Sequence, residues 1–275
     1  MYPADTSMKR LPFYKEKARA IRKKILKTSA FAHSPHVGSC LSPVEVLTAL
    51  YFRILRLSPV GSAKNDAFIL SKGHGGLCLY ATLVERGIAS EHILKNYGRD
   101  GTRVAAHPVR GSMPGIEATT GSLGHGLAMG VGLALAAKRD KTKRKIFVMV
   151  SDGECDEGSL WEAVLAAAHH KLDNLTVFID YNKIQSFGSV QKVMNLEPLL
   201  LKWKSFGWAG VEIDGHDFRE IFRATKKLPI QKNKPNVIVC HTVKGKGVSF
   251  MENTLDWHYK NLTDELLEKA LREIS

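Results

Sequence analysis

Cysteine is scarce in this 275-residue chain: four residues, at positions 40, 78, 155 and 240. They form no CxxC pair and are too scattered for a disulfide framework, which fits a reducing, cytoplasmic setting. No HExxH or Cys/His grouping is present, so zinc is not expected. The start, MYPADTSMKRLPF, lacks an apolar core, and no secretion signal is expected. The longest uncharged stretch, residues 111–137 apart from Glu117, is dotted with Gly, Ser, Thr and Pro. A membrane span needs about 20 mostly apolar residues, so no membrane partner is expected. Internal repeats and low-complexity linkers are absent as well.

Acidic residues are also short, 27 against 40 basic, leaving a net charge of +13. The excess crowds the first helical segment, where Lys9, Arg10, Lys15, Lys17, Arg19, Arg22, Lys23, Lys24 and Lys27 face only Glu16. An anionic substrate, an acidic partner surface or a merely solvated helix face would each suit this pattern. No helix-turn-helix, zinc-finger or RNP-type signature accompanies it, so nucleic acid is not expected.

Apolar content of 44% and charged content of 24% are those of a globular protein. Strand-like runs occur at 67–70 (AFIL), 145–150 (KIFVMV), 175–180 (LTVFID), 211–213 (VEI) and 236–241 (NVIVCH). Helical periodicity fills 43–57, 77–86, 124–139, 159–172 and 218–227, and 264–274 reads as an amphipathic tail helix. Strands alternating with helices predict an α/β domain on a parallel sheet.

The segment 151–188 carries the most chemistry. The apolar run 145–150 ends at Ser151-Asp152-Gly153, where glycine permits a sharp turn. Ser159 and Glu162 have the spacing of a capping box, with Ser159 as N-cap. Leu160, Trp161, Val164, Leu165, Ala168 and Leu172 recur at helical spacing as one buried face. The strand 175–180 follows, and Asn182 lies just past its end. A strand–helix–strand crossover makes both strands parallel. Asp152 and Asn182 therefore emerge together at the carboxyl edge, where open α/β sheets bind ligands. A carboxylate, an amide oxygen and nearby carbonyls are hard donors that Mg²⁺ takes together with phosphate oxygens. An acidic helix start and a turn asparagine are the bland alternative. An EF-hand is excluded, because Glu157 stands at the sixth loop position and Ala163 at the twelfth. Glycines 121, 124, 126, 130 and 132 miss the G-x-G-x-x-G spacing and follow no strand, which excludes nicotinamide binding.

Asp152-Gly153 followed by Asn182 resembles the thiamine diphosphate motif, usually written GDG, a spacer, then Asn. Further segments resemble the transketolase family in order: HVGSCLS at 36–42, LSKGHG at 70–75, the glycine-rich run 105–136, VKGKGVSF at 243–250, and Trp257-His258. The resemblance spans nearly the whole chain. It implies a three-layer α/β/α thiamine diphosphate-binding (PP-type) fold with a mainly parallel sheet, as a single domain over 1–275. It also implies that Asp152, the Asn182 side chain and the Ile184 carbonyl hold Mg²⁺, with Gly153 beside the diphosphate. Ser39, His74 and Lys244 match positions around the cofactor, and Gly121-Ser122-Leu123 matches the loop along its rings. His36, His107 and His258 match histidines that surround the donor sugar and shuttle protons, with His258 also beside the cofactor. His33, His92, His169, His170, His216 and His241 fall outside these motifs and read as surface or core residues.

The implied reaction is two-carbon ketol transfer between sugars or sugar phosphates. In that family an essential glutamate sits in a pyrimidine-binding domain, and neither that domain nor the C-terminal one is present in these 275 residues. The resemblance thus implies the N-terminal subunit of a split transketolase, with a companion chain supplying the glutamate and a heterotetramer as the expected assembly. Glu157 matches a glutamate near the subunit contact. Ser151, Tyr181, His125 and Tyr259 depart from the usual pattern, and the last two leave the sugar open. A pyruvate-type donor, or a silent cofactor-binding partner, are the alternatives.

Overall fold

The computed structural model describes residues 10–57 and 65–274. Lys9 of the basic segment and the stretch read for a secretion signal up to that point lie outside the described residues.

Five strands, β1 (Ala67–Leu70), β2 (Ile146–Ser151), β3 (Leu175–Tyr181), β4 (Ala209–Asp214) and β5 (Asn236–His241), form a wholly parallel sheet in the order β1-β2-β3-β5-β4. The strand expected at 211–213 is longer at both ends. β2 and β3 are buried along their whole lengths, as strands covered on both faces must be. The two-residue side-chain alternation sorts them into separate cores. Phe147, Met149 and Phe178 face one side, while Val148, Val150, Val177 and Ile179 face the other.

The first core is covered by α1 (Leu11–Phe31), α2 (Val37–Leu41), α3 (Val44–Ala49), α4 (Gly76–Glu85) and the short α5 (His92–Lys95). On the opposite face lie α6 (His125–Arg139), α7 (Gly158–His169), α8 (Val190–Val193) and α9 (Leu199–Ser205). α10 (Phe218–Thr225) and α11 (Asp264–Glu273) return to the first side, completing the three-layer α/β/α arrangement. Residues 37–54 are apolar enough to cross a bilayer by length, but 83% of the stretch is buried, so it is core. The helix expected at 43–57 is shorter, because α3 widens into a π-helical turn at Leu50–Ile54.

Two expectations within the segment 151–188 need correction. No capping box forms: α7 begins at Gly158 after Glu157, without a side-chain cap bond. Ser159 instead packs against Gly124, which adopts φ +82°. The buried face of α7 consists of Leu160, Ala163, Val164 and Ala167, while Leu165 is 59% exposed. At 100° per residue Leu165 lies a step past the stripe that meets the sheet.

The basic first helix is partly neutralised from α4 and α3. Lys17 and Lys24 reach Glu85 at 2.8 and 3.3 Å, and the buried Arg22 forks onto Glu45 at 2.6 and 2.8 Å.

Candidate active site

β2 and β3 pair in register through Ser151 and Asp180, so Asp152 and Asn182 leave the same sheet edge. Both are buried. Asp152 Oδ1 accepts the Gly153 N–H at 2.8 Å, and its Oδ2 accepts the Lys183 N–H at 2.7 Å. Asn182 Oδ1 accepts the Ile184 N–H at 3.1 Å, which folds the chain back after β3. The Ile184 carbonyl accepts the Lys244 ammonium at 3.2 Å. Carboxylate, amide and carbonyl oxygens thus share one corner, with a cation already drawn to the third. Burial, then the charge of nearby Asp180, push the Asp152 carboxyl up to about 6.

Beside this oxygen corner lies a basic one. Lys244 Nζ sits 2.8 Å from His258 Nδ1, and Ser186 Oγ is 3.2 Å from His258 Nε2. Burial, then the charges of Lys244 and His36, depress His258 to about 3, so its ring is neutral near neutrality. An ammonium donates to Nδ1, which leaves the ring proton on Nε2, facing Ser186. Burial, followed by the neighbouring Lys72 charge, lowers Lys244 itself to about 8. The His36 ring meets those of His258 and His74 at centroid distances of 4.8 and 5.6 Å. His107 lies against Gly121 and acts electrostatically on His36. Burial is the main cause lowering both His36 and His74. Four histidines drawn from separate motifs are therefore brought together.

Glycine makes the approach of these segments feasible. A side chain on Gly73 would run into the backbone of Thr120 and Gly121, so the 70–75 turn rests directly on the glycine loop. Gly153 faces only Gln185 across van der Waals distance, which leaves its backbone accessible. Ser39 is buried on α2, and its carbonyl accepts the Lys72 ammonium at 3.0 Å. His36 Nδ1 is buried without a hydrogen-bond partner, an open polar atom inside the cluster. Two oxygen-bearing side chains, a carbonyl, an ammonium and an unpaired imidazole nitrogen suit a metal-bound diphosphate with a polar substrate beside it.

A profile described as "Transketolase, thiamine diphosphate binding domain" matches residues 14–274. This chain belongs to the transketolase family. It is 42% identical over 256 residues to one of the subunits of the apulose-4-phosphate transketolase of Phocaeicola vulgatus, covering 92% of this chain and 91% of that one. It is also 42% identical to the 6-deoxy-6-sulfo-D-fructose transketolase subunit SqwG of a Clostridium species, covering 94% of each. The transketolase of Campylobacter jejuni superposes with a TM-score of 0.88 at 28% identity. That match covers 96% of this chain but only 43% of the solved one.

Beneath these residues lies a charged layer that the motif reading did not single out. Lys72 and Asp180 form an ion pair at 2.5 Å with no solvent exposure. Asp180 also accepts from Ser42 at 2.6 Å and Thr242 at 2.5 Å. Burial opposes both charges, yet each partner outweighs it: Lys72 is held above its ordinary range and Asp180 below. Glu154, fully buried, accepts from Ser71 Oγ at 2.5 Å, Gly124 N at 2.9 Å and Ser151 N at 3.0 Å. It ties the glycine loop to the ends of β1 and β2. A readable signal existed for the ion pair, since Asp180 ends a strand buried on both faces and such a charge demands a partner. Of the departures from the family pattern, Tyr259 is an exposed ring set edge-on to His258 at 4.7 Å, and His125 is exposed at the start of α6.

Proposed function

We propose that this chain is the cofactor-binding subunit of a two-chain transketolase that moves a two-carbon ketol unit between sugar phosphates. The convergence of the Asp152–Asn182–Ile184 oxygens with the His36–His74–His107–His258 cluster at one sheet edge carries this reading. Near end-to-end similarity to relatives that are themselves named as transketolase subunits, against less than half of a full-length transketolase, supports the division into two chains.

In this reading Mg²⁺ is held by Asp152, Asn182 and the Ile184 carbonyl, and Gly153, Ser39, His74 and Lys244 line the diphosphate. Gly121, Ser122 and Leu123 flank the cofactor rings. When bound, thiamine diphosphate supplies the nucleophilic carbon and the electron sink for cleaving a ketose beside its carbonyl. The chain's own part is to orient and to move protons. His258, neutral with its proton on Nε2, donates toward a sugar oxygen where it now donates to Ser186. His36, with a free buried Nδ1, offers an acceptor or a donor to a neighbouring hydroxyl. His107 closes the same cluster from the glycine loop.

The companion supplies the pyrimidine-binding domain and its glutamate, with a heterotetramer as the assembly and Glu157, exposed beside Gly124, at the contact. Exposed apolar side chains on the α6–α7 side, among them Met129 and Leu165, suit burial against it. A cytoplasmic location suits four free, buried cysteines. The test combines the chain with its companion, Mg²⁺ and thiamine diphosphate, and screens ketose phosphates and pyruvate as donors against aldose acceptors. Ketol transfer from a ketose phosphate is the expected result; turnover of pyruvate alone, or no turnover, refutes the transferase reading.

A further inference from the structure

His216 belongs to none of the motifs that mark the site, yet its ring is spent on one task. Val243 N–H donates to its Nε2 at 2.9 Å, and its Nδ1 lies 2.9 Å from Glu45 Oε2. A nitrogen that accepts an amide proton carries a lone pair, so the ring proton sits on Nδ1 and is donated to Glu45. Glu45 is itself gripped by both arms of Arg22, whose Nε continues to the Lys246 carbonyl at 3.0 Å. One series of bonds thus begins at Val243 N, passes through His216, Glu45 and Arg22, and ends at Lys246 O. Gly245 N, between those ends, is fastened to Gly38 O at 3.0 Å. Within this loop sits Lys244, whose ammonium touches Ile184 O and His258 Nδ1.

We propose that His216 is a positioning residue that sets the Val243–Lys244 backbone and, through it, the Lys244 ammonium in the cofactor site. The proposal rests on the reading that Lys244 serves the diphosphate. Three observations give it force. A side chain on Gly215 would collide with Thr242 and Cys240, so β4 ends close enough to β5 for the next residue to reach Val243. The Lys244 stem lies against Gly38, so displacement of its backbone passes to the ammonium instead of being absorbed by the flexible chain. Charges around His216 come from α1 (Lys15, Arg19 and Arg22), α3 (Glu45), the loop itself (Lys246 and Glu252) and α11 (Glu273), Asp214 accepts its backbone N–H, and Glu45 receives its ring proton.

The test compares His216→Phe with His216→Gln in the full chain. Glutamine can accept the Val243 N–H and donate to Glu45; phenylalanine can do neither. Hydrogen exchange of residues 242–248 in the cofactor-free chain is expected to quicken about tenfold in His216→Phe and to stay near wild type in His216→Gln. Calorimetry with Mg²⁺ and thiamine diphosphate is expected to show affinity weakened about tenfold in His216→Phe and within about twofold of wild type in His216→Gln. Nitrogen NMR of the wild-type ring should report a proton on Nδ1. Impairment of His216→Gln as great as or greater than that of His216→Phe would mean that the two hydrogen bonds do not set the loop, and unchanged exchange in His216→Phe would remove the positioning role; either overturns the proposal. A wild-type chain that takes up no cofactor counts against the proposed function, while the exchange comparison still decides His216.

Discussion

The oxygen corner and the basic corner of the site are built by opposite means. Asp152 and Asn182 stand on the ends of β2 and β3, held by a continuous backbone ladder in register. Lys244 stands on a loop held by side chains reaching from α1, α3 and the end of β4, and His258 closes a 3₁₀ turn whose carbonyl accepts the His36 N–H. A ladder places a residue whatever its side chain is; a loop position depends on each bond that ties it. Substitution in the first corner should therefore remove chemistry and spare the fold, whereas substitution around the second should disturb geometry or stability.

Asp152→Ala gives the sharpest contrast. Its cofactor affinity should fall by more than about a hundredfold, while its melting temperature stays near wild type, because the lost carboxylate is one whose ionisation burial already opposes. Wild-type affinity in calorimetry would break the assignment. Lys72→Met should do the reverse, costing about 3–5 kcal/mol by leaving Asp180 buried without its partner. Denaturant melts would show it, and adding Asp180→Asn should recover part of the loss. The pH dependence is gentler. The Asp152 carboxyl must be ionised to ligate, so cofactor uptake should decline as pH falls through about 6. Because that value lies above the ordinary one, protonation of Asp152 does not itself destabilise the cofactor-free chain on acidification. Uptake that stays level down to pH 5 would contradict the oxygen corner. Ser186→Ala should have the smallest effect, a few-fold drop in turnover at unchanged cofactor affinity, from one lost hydrogen bond of about 1 kcal/mol.

What could be read before the structure follows the same division. The β2–α7–β3 unit was legible because periodicity marks its elements and crossover handedness fixes both strand directions. Asp152 and Asn182 needed only their distance from strand ends. Lys244 and His258 were reached through family resemblance, and nothing in local spacing says that they touch. Lys72 lay inside a quoted motif and Asp180 inside a quoted strand, 108 residues apart, and no periodicity links them. His216 falls outside every quoted motif and reads from sequence as a surface or core residue, since its value comes from an amide 27 residues downstream and a carboxylate 171 upstream. The Ser159 cap failed for a related reason: a local rule yielded to packing against Gly124 from a distant loop.

The wholly buried Lys72–Asp180 pair bears on how far the chain depends on its ligands for a balanced interior. A fully buried ammonium finds its counter-charge within the same chain, and Ser42 and Thr242 donate to the same carboxylate. This part of the interior is electrically complete without any charge supplied from outside the chain.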